Sequence, residues 1–495
     1  MSYDVVVVGA GGAGMCAALA ARQQGANVLV LERAPRDKRG GNTAFASGTF
    51  RMVHHGADDI KRVVPDLTSE EIANTDFGEY PATAFFDDLA RITQYYTDPE
   101  LADFLVNDSA DTVDWLHKLG VRFLPNYGRQ AYKIDGRFKF FGGSVIYANG
   151  GGAGLMESHY KNAEKHGINI RYGARAAELL RGSKGIEGVR IEAGGALEDI
   201  RASAVVLAAG GFEANREWRA RYLGPGWDMA KVRGSRYNTG DGIRMALDAG
   251  AQPFGQWSGC HSCAWERNAG EFGSVETRHN GYRHSYVYGL VVNSEGKRFV
   301  DEGADFRNFT YAKYGRVILQ QPGGFAWQVF DAQTKHLMRD EYSLRGATKV
   351  SGNTLEELVM RMQDVDADQF LKTVREYNAA VTRDVPFNPN AKDGLRTVGL
   401  EIDKTNWATP LEKPPFEAYS VGCGITFTFG GLKIDTSGRV LDIEDAPLPG
   451  LYAAGELVGG IFYFNYPGAT GLTSSAVFGR LAGRQAAGFA KARAA

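Results

Sequence analysis

A short apolar strand that runs directly into a glycine-rich turn restricts the fold of this chain more than any other feature. Residues 3–32 read YDVVVVGAGGAGMCAALAARQQGANVLVLE, which predicts a strand, a turn from Gly9 to Gly14, a helix and a second strand ending at Glu32. In such a βαβ unit Gly9 permits the tight turn, Gly11 lets backbone approach a pyrophosphate, and Gly14 lets helix and strand pack closely. The helix N-terminus presents free N–H groups to phosphates, and Glu32 is placed to bind ribose hydroxyls. The segment predicts binding of an adenine dinucleotide.

Size and charge exclude several classes of protein. The chain has 495 residues, 44% of them apolar, so we expect two or three lobes with an ample core. A formal net charge of −2 gives no basis for binding nucleic acid or an anionic membrane surface. No apolar run reaches the roughly 18 to 20 residues of a membrane helix, and the first strand begins where a signal sequence would lie. We expect a cytoplasmic protein with no membrane span.

The four cysteines do not predict a metal or redox site. Cys16 falls in the first helix, where a small apolar thiol is ordinary. Cys260 and Cys263 have CxxC spacing, but the sequence has no second pair for zinc and no CxxCH order for haem attachment. Together with Cys423 they are interpreted as incidental thiols, and no metal is expected.

Glycine-rich turns recur where predicted strands end. Residues 39–43 (RGGNT) suit a loop pressed against pyrophosphate and ring, and residues 168–177 predict a strand that passes beside an adenine. Residues 204–211 and 449–456 each predict a buried strand ending in a glycine turn. Residues 468–476 open a final helix whose Gly-, Ser- and Thr-rich start offers N–H groups to an electron-rich ring edge. A flavin needs such a donor near N1 and O2, so these turns favour FAD over NAD.

Cofactor signals at both ends of the chain imply a lobe inserted between them. We predict an α/β fold, with a Rossmann-like FAD-binding domain assembled from both chain ends and an inserted α+β substrate cap domain. The predicted division assigns residues 1–255 and 416–495 to the FAD-binding domain and residues 256–415 to the cap, where aromatic residues accumulate. Residues 51–140 predict a helical excursion in which Asp98 starts one helix.

The residues predicted to contact FAD lie in these turns and at the neighbouring strand ends. Glu456 and Asp241 each follow a glycine turn, so binding of ribityl or ribose hydroxyls is expected, with helix capping as the alternative. The predicted cofactor-binding residues are Gly9, Gly11, Gly12, Ala13, Gly14, Glu32, Arg33, Arg39, Gly40, Gly41, Asn42, Thr43, Gly48, Ala174, Ala209, Gly210, Gly211, Asn238, Gly240, Asp241, Gly455, Glu456, Gly471, Leu472 and Ser475.

Motifs spread over nearly the full length resemble those of one known group. They are DVVVVGAGGAG, RGGNT, VVLAAGGFEAN, NTGDG, VVNSEGKRFVDE, LPGLYAAGEL and GLTSSAVFGRLAG. The chain resembles the fumarate reductase and succinate dehydrogenase flavoprotein superfamily, which includes the 3-ketosteroid dehydrogenases. The segments APRDKRGGNT, DEGADFRNFTYAKYGR, CGITFTFGGLKID and GGIFYFNYPGATGL are most similar to FAD-dependent tricarballylate dehydrogenases. The resemblance implies FAD and two-electron chemistry at a C–C bond beside a carbonyl or carboxylate.

The chain departs from the fumarate reductases at two positions. They place an arginine in the glycine-rich stretch before the last helix, where this chain has Tyr466. They also place a histidine just before the Gly-Gly of the strand at 425–434, where this chain has Phe427 and Thr428. The missing pair normally clamps a dicarboxylate. A tyrosine followed by Pro and Gly instead resembles the ketosteroid dehydrogenases, where tyrosines handle a carbonyl and proton transfer.

Forming a C=C bond requires a hydride acceptor, a base and donors for an enolate-like oxygen. We expect hydride transfer to flavin N5 and proton transfer to a relay of Tyr466 and Arg307, with Tyr311 as an alternate. The role of Arg307 is implied by the resemblance, since a guanidinium is a poor base; a structural ion pair is the alternative. His261 is a candidate to bind a carbonyl or carboxylate. Alternating aromatic residues predict a strand at 284–288 that faces the pocket or the core.

The leading hypothesis is an FAD-dependent dehydrogenase acting on CH–CH groups of a tricarballylate-like acid or related carbonyl compound. The alternatives are an alicyclic or steroid-like ketone desaturase, an ene-reductase of the fumarate reductase type, and a flavoprotein subunit without catalysis of its own. The sequence contains no second GxGxxG, no haem motif and no Fe–S cysteine set. We therefore expect electrons to leave to a separate acceptor, which is a membrane redox protein, a quinone or oxygen.

Overall fold

The N-terminal strand, helix and second strand form as the sequence predicts. In this computed structural model, which describes residues 3–278 and 280–494, they span Tyr3–Val8, Gly12–Gln23 and Val28–Glu32. Val28–Glu32 is buried along its whole length, and Tyr3–Val8 is buried from its third residue onward. Parallel strands covered on both faces need apolar side chains on both, and these runs of valine and leucine supply them.

Eight strands form one sheet, here called the cofactor sheet. Tyr3–Val8 pairs in parallel with Val28–Glu32 and with Ala196–Leu207, and Ala196–Leu207 pairs in parallel with Pro447–Ala453. The carboxyl ends of these strands therefore meet at one edge, where ligands bind in open α/β sheets. The spatial order is Ala174–Gly182, Gly185–Ala193, Ala196–Leu207, Tyr3–Val8, Val28–Glu32 and Asn169–Tyr172, with Pro447–Ala453 beside Ala196–Leu207 and Arg439–Leu441 beside Pro447–Ala453.

The C-terminal helix, Thr470–Ala494, packs directly on the first helix. Small residues make this contact close: a Cβ atom on Gly483 would lie 2.1 Å from the carbonyl oxygen of Ala17, and one on Gly479 would lie 2.5 Å from that of Ala13. The two chain ends thus complete one layer of the cofactor-binding lobe, as the sequence predicts.

A second sheet of six strands, here called the cap sheet, is organised by one long strand. Phe416–Thr428 pairs with strands on both sides along its length. The other strands of the cap sheet are Lys231–Val232, Cys260–Glu266, Leu290–Val292, Phe325–Phe330 and Lys349–Gly352, and its helices are Tyr311–Leu319, Leu355–Val359 and Ala367–Ala380. The division at 255/256 and 415/416 stays a prediction, and Phe416–Thr428 lies in the cap sheet.

The remaining elements lie outside these two sheets. Asp98 caps the helix Pro99–Lys118 by accepting hydrogen bonds from the backbone N–H groups of Glu100 and Leu101, both at 3.0 Å. The other helices are Ala57–Val63, Ser69–Ala73, Ala82–Ile92, Tyr127–Gln130, Gly151–Lys165, Arg216–Trp218 and Asp241–Asp248. The other strands are Thr49–Phe50, Thr75–Asp76, Phe123–Pro125, Ala131–Ile134, Arg137–Phe140, Ile146–Ala148, Pro253–Phe254 and Gly431–Leu432.

Two local predictions differ from the structure. The predicted strand at 168–177 is two strands, because Gly173 adopts φ +63° and breaks the extended run. The predicted strand at 284–288 is wrong: Tyr286–Tyr288 form one 3₁₀ turn whose side chains are all buried. The aromatic alternation there reflects packing, as in the 4.9 Å contact between the rings of Tyr286 and Tyr314.

The structure confirms the predicted α/β class. In the part of the chain that the structure describes, no helix combines the length and the apolar character needed to cross a membrane.

Candidate active site

Two connected cavities lie at the carboxyl edge of the cofactor sheet. The first, here called the dinucleotide groove, follows the N-terminal glycine turn. The second, here called the reaction cavity, continues beneath the cap sheet. Both cavities are lined by Asn42, Thr43, Gly455, Glu456 and Ser475, so one elongated ligand can extend from the first into the second.

The glycine turn brings backbone close to the groove. Gly9 has φ +107°, and a Cβ atom on it would lie 2.3 Å from the carbonyl oxygen of Ala208. A Cβ atom on Gly14 would lie 1.9 Å from the carbonyl oxygen of Gly9. The N–H of Gly12 donates to the Thr43 hydroxyl over 3.1 Å, which joins the RGGNT loop to the start of the first helix. The N-terminus of that helix is thereby presented to the groove.

Glu32 is fixed at the end of the second strand by backbone donors. Its carboxylate accepts hydrogen bonds from the N–H groups of Ala10 at 2.9 Å and Ala34 at 2.7 Å. Burial raises the pKa of this carboxyl, and the backbone hydrogen bonds and Arg33 oppose that rise. The side chain lines the groove, and its place beside a ribose stays a prediction.

Asp241 lies between two arginines at the rim of the groove. Its carboxylate pairs with Arg33 at 2.8 Å and with Arg175 at 2.8 Å. Burial favours the neutral acid, but the hydrogen bond from Arg175 and the charge of Arg33 outweigh it and hold the pKa of Asp241 below its ordinary value. Asp241 is the first residue of its helix. Its ion pairs with the two arginines add a third role to hydroxyl binding and helix capping, the two alternatives predicted from sequence.

Half-buried Glu456 lies where the groove meets the reaction cavity, with the buried Glu213 beside it. Glu213 is fully buried and accepts hydrogen bonds from the side-chain amides of Asn42 at 2.6 Å and Asn238 at 2.7 Å. Glu456 accepts from the backbone N–H of Thr428 at 2.9 Å. Burial, followed by the neighbouring Glu456, raises the pKa of Glu213 well above its ordinary value. Sequence reasoning missed Glu213, although it lies within the motif VVLAAGGFEAN.

Most of the predicted cofactor residues line these two cavities. Those that do are Gly9, Gly11, Gly12, Ala13, Glu32, Arg33, Gly41, Asn42, Thr43, Ala174, Ala209, Gly210, Asn238, Asp241, Gly455, Glu456, Gly471, Leu472 and Ser475. Gly14, Arg39, Gly40, Gly48, Gly211 and Gly240 are absent from both linings. Arg39, for example, lies over the ring of Tyr160 at 4.0 Å. These six support the loops around the groove.

The four predicted catalytic residues line the reaction cavity together. The rings of Tyr466 and His261 are 5.0 Å apart, those of His261 and Tyr311 are 5.0 Å apart, and those of Tyr311 and Tyr466 are 6.2 Å apart. Arg307 lies in the turn Arg307–Phe309, directly before the helix that carries Tyr311. These four residues, which are up to 205 positions apart in the sequence, thus line one cavity.

A bulge and a tight loop set the aromatic part of this cluster. The pairing of Cys260–Glu266 with the long cap strand shifts register between His261 and Ser262, a distortion that redirects side chains. His261 lies opposite Phe427 and stacks on its ring at 5.1 Å. Tyr466 is held by the N–H of Ala469, which donates to its hydroxyl over 2.8 Å. Phe462 closes this wall with its ring 5.3 Å from that of Tyr466.

Burial fixes the protonation of the groups around the tyrosines. Burial, followed by the charge of Arg233, lowers the pKa of His261 well below its ordinary value, so its ring is neutral at physiological pH. The pKa of His284, which also lines the cavity, is lowered by burial and then by Arg339, Arg233 and Arg307. Burial and the nearby Tyr466 raise the pKa of Tyr311 well above its ordinary value, so Tyr311 is a hydrogen-bond donor rather than a base.

Four arginines give the reaction cavity a strongly positive wall. They are Arg129, Arg233, Arg307 and Arg339. Arg129 is paired with Glu341, whereas the other three have no ion pair within residues 3–278 and 280–494. Their exposed fractions are only 7%, 6% and 9%, in the order Arg233, Arg307 and Arg339. Burial and then the charges of Arg307 and Arg129 lower the pKa of Arg339, and Glu341 opposes part of this shift.

Sequence reasoning did not find this positive wall. Arg129 lies in the short helix Tyr127–Gln130, Arg233 directly follows the cap strand Lys231–Val232, and Arg339 lies in a loop beyond Phe325–Phe330. No motif links them, since only the fold brings them together. His284 falls in the segment 284–288, for which the sequence predicts a strand that does not form.

Comparisons with known proteins agree with the geometry. The family model described as FAD binding domain matches residues 4–472. The fumarate reductase (cytochrome) of Shewanella frigidimarina is 30% identical over 497 residues, covering 99% of this chain and 78% of that protein. The chain belongs to the fumarate reductase/succinate dehydrogenase flavoprotein superfamily.

Two further similarities extend over nearly the whole of this flavoprotein. The open conformation of a flavocytochrome c3 fumarate reductase superposes with a TM-score of 0.73 at 27% identity, covering 99% of this chain and 78% of that one. The 4-oxocyclohex-2-ene-1-carboxylate 5-dehydrogenase of Sinomonas cyclohexanicum is 27% identical, covering 100% of this chain and 95% of that protein. The flavoprotein is an FAD-dependent oxidoreductase of the fumarate reductase family that acts on C=C or CH–CH bonds.

The residues of the groove fit FAD. The Gly9 turn and the first helix present N–H groups as pyrophosphate donors, and the Glu32 carboxylate is available for ribose hydroxyls. The start of Thr470–Ala494 meets the reaction cavity at Gly471, Leu472 and Ser475, where its N–H groups suit the pyrimidine edge of a flavin.

Proposed function

We propose that this flavoprotein is a dehydrogenase that introduces a C=C bond into an acid carrying several carboxylates, such as tricarballylate. The observation that carries the proposal is the arginine wall of the reaction cavity. Arg233, Arg307 and Arg339 are buried and form no ion pair with the described carboxylates, and such guanidiniums are costly without an anion because desolvation disfavours charge. A substrate with two or three carboxylates supplies the missing negative charge, and guanidinium groups bind carboxylates through paired hydrogen bonds.

The aromatic end of the cavity supplies the groups for proton transfer. FAD, when bound, accepts two electrons from the substrate as a hydride. Tyr466 is the proposed base for the proton on the neighbouring carbon, and Tyr311 donates a hydrogen bond to the enolate-like oxygen. Arg307, which stays cationic, orients the carboxylate beside that carbon rather than removing the proton. Neutral His261 positions both tyrosines through its ring contacts.

A cyclic keto acid is the second candidate substrate. The aromatic residues Phe427, Phe462 and Tyr466 pack together as an apolar part of the cavity lining, and such a surface suits an alicyclic ring. The similarity to the 4-oxocyclohex-2-ene-1-carboxylate 5-dehydrogenase supports this class. The relative named a fumarate reductase supports the opposite direction, in which a C=C bond is reduced. In either direction we expect a separate electron acceptor or donor.

Flavin absorbance under anaerobic conditions tests the proposal directly. The FAD-loaded protein is mixed with tricarballylate, succinate, 4-oxocyclohexanecarboxylate or an uncharged cyclic ketone, and bleaching of the flavin band near 450 nm, the usual flavin wavelength, is followed. We expect the tricarboxylate to bleach the band fastest. Faster bleaching by the uncharged ketone would contradict the assignment. Oxidation of a pre-reduced flavin by fumarate or aconitate, with no bleaching by any saturated acid, would identify a reductase.

Arg339→Gln tests the role of the arginine wall. Removing one guanidinium that binds a carboxylate is expected to cost about 2 kcal/mol, which raises KM for the acid about 30-fold. The rate at saturating substrate should change little, because Arg339 is not among the aromatic groups assigned to proton transfer. Arg345→Gln is the matched control, since Arg345 is exposed and outside the cavity. An unchanged KM in Arg339→Gln would remove this arginine from the substrate site.

A further inference from the structure

Arg51 is a fully buried charge that does not touch either cavity. It follows the strand Thr49–Phe50 and has an exposed fraction of 0%. One end of its guanidinium donates to the Tyr80 hydroxyl at 2.6 Å and to the Asp88 carboxylate at 3.3 Å. Its Nε atom donates to the carbonyl oxygen of Gly468 at 2.9 Å. Burying a guanidinium costs free energy unless hydrogen bonds and opposite charges compensate for its lost hydration. The bond from Nε to Gly468 connects Arg51 to the active site.

One peptide unit joins Arg51 to Tyr466. The carbonyl of Gly468, which accepts from Arg51 and from the Ser144 hydroxyl at 3.3 Å, belongs to the same peptide as the N–H of Ala469. That N–H donates to the Tyr466 hydroxyl at 2.8 Å. Ala469 has φ +74°, a strained conformation for alanine that persists only where its surroundings enforce it. In this conformation the peptide between Gly468 and Ala469 is oriented toward the Arg51 guanidinium at one end and the Tyr466 phenol at the other.

We propose that Arg51 is a positioning residue that acts on Tyr466 through the peptide between Gly468 and Ala469. A cation bound to a carbonyl polarises the whole peptide, so its N–H becomes a stronger donor. A stronger donor to the phenolic oxygen favours the phenolate form that can accept a proton from substrate carbon. The inference rests on the proposed role of Tyr466 as base and adds the group that prepares it for that role.

The backbone around this peptide is held on both sides. The Thr473 hydroxyl donates to the carbonyl of Arg51 at 2.8 Å, and the N–H of Gly468 donates to the carbonyl of Asn308 at 2.8 Å. The second contact ties the loop of Tyr466 to the turn that carries Arg307. Movement of Arg51 therefore changes the position of the peptide relative to both catalytic segments.

The charged and titratable groups around Arg51 differ from those around Tyr466. Around Arg51 they are Tyr80 and Asp88, with Arg91 bound to the far side of Asp88 at 2.9 Å. Around Tyr466 they are Tyr311 and His261, and Arg233 acts electrostatically on both of these side chains. Arg307 lines the same cavity. His261 is neutral and brings no positive charge to Tyr466. Arg51 is the cation whose effect reaches the Tyr466 phenol through hydrogen bonds.

Arg51→Met and Arg51→Lys form the first test. At neutral pH we expect Arg51→Met to slow substrate-driven flavin reduction on the order of tenfold, with KM unchanged. The pH at which the rate rises should move upward, because the phenolate loses a stabilising partner. Arg51→Lys keeps the charge and one donor and should restore most of the rate. Arg298→Met is the control for loss of a buried arginine, since Arg298 pairs with Glu302 in the cap; it should leave the pH profile unmoved.

A double-mutant cycle and a spectroscopic readout complete the test. If Arg51 acts through Tyr466, Arg51→Met has no further effect in a Tyr466→Phe background, whereas additive losses would overturn the inference. Protein labelled with 3-fluorotyrosine gives a ¹⁹F resonance that is lost in Tyr466→Phe. Its titration should move to higher pH in Arg51→Met, and an unmoved titration would overturn the inference. Because this readout needs no substrate, it separates failure of the inference from failure of the proposed function.

Discussion

Replacing Tyr466 with phenylalanine is expected to slow substrate-driven flavin reduction by a factor of about 10² to 10⁴ while FAD stays bound. The substitution removes only the hydroxyl that accepts the N–H of Ala469, so the ring contacts with His261 and Phe427 remain. A positioned base lowers the barrier to proton removal from carbon, and its loss affects the chemical step more than binding. Anaerobic stopped-flow absorbance measures the reduction rate, and the flavin content of the purified variant measures cofactor retention.

Tyr463→Phe is the matched control for this prediction. Tyr463 lies three residues earlier in the same loop and contacts the exposed ring of Tyr96 at 5.7 Å, outside the reaction cavity. Loss of its hydroxyl should leave the reduction rate within about twofold of the wild type, as for most surface changes. Equal rates in Tyr466→Phe and the wild type would remove Tyr466 from the proton-transfer step.

Gly9→Ala is expected to abolish stable FAD binding. The added Cβ would lie 2.3 Å from the carbonyl oxygen of Ala208, and alanine would have to adopt φ +107°. The strain alone is about 1–3 kcal/mol, which corresponds to FAD binding about 5- to 150-fold weaker. The overlap adds to this, because Val8 and Leu207 are paired on either side of the turn and prevent it from opening. FAD content after purification and the dissociation constant from flavin fluorescence measure the effect.

Gly488→Ala provides the control for a glycine without such constraints. Gly488 is exposed within the helix Thr470–Ala494, and a Cβ atom on it would meet no atom within 4 Å. Alanine is favoured over glycine in a helix by up to about 1 kcal/mol, so this variant should bind FAD normally and unfold at the same or a higher temperature. Normal FAD binding by Gly9→Ala would mean that the turn is not where the pyrophosphate lies.

Local sequence patterns predicted those parts of the molecule in which neighbouring residues act together. The strand, glycine turn and helix at the N-terminus, and the helix that Asp98 caps, depend on residues within a few positions of one another. The strand prediction for the segment 284–288 is wrong because its alternating aromatic residues match a strand, whereas tertiary contacts favour a 3₁₀ turn. Periodicity in a short aromatic segment does not distinguish these two outcomes.

The candidate site was predictable only where it coincides with a motif. Tyr466, Arg307, Tyr311 and His261 were found through turns or through the family resemblance, and the structure brings all four to one cavity. Arg339 lies in a region with no pattern of its own, and its role depends on charges that only the fold places nearby. Arg51 is a similar case, because its effect on the site depends on one peptide in a loop more than 400 residues later.

The contact between the first helix and the last determines when this protein can finish folding during its synthesis. Ala17 and Gly483, which touch, are separated by more than 460 positions in the chain. At about 5–20 residues per second a ribosome needs roughly 20 to 90 s to make the intervening segment. Throughout that interval the small-residue face of the first helix and the edge of Ala196–Leu207 that later receives Pro447–Ala453 lack their partners. Both surfaces are covered only after the final helix has been translated, so the cofactor-binding lobe is completed last.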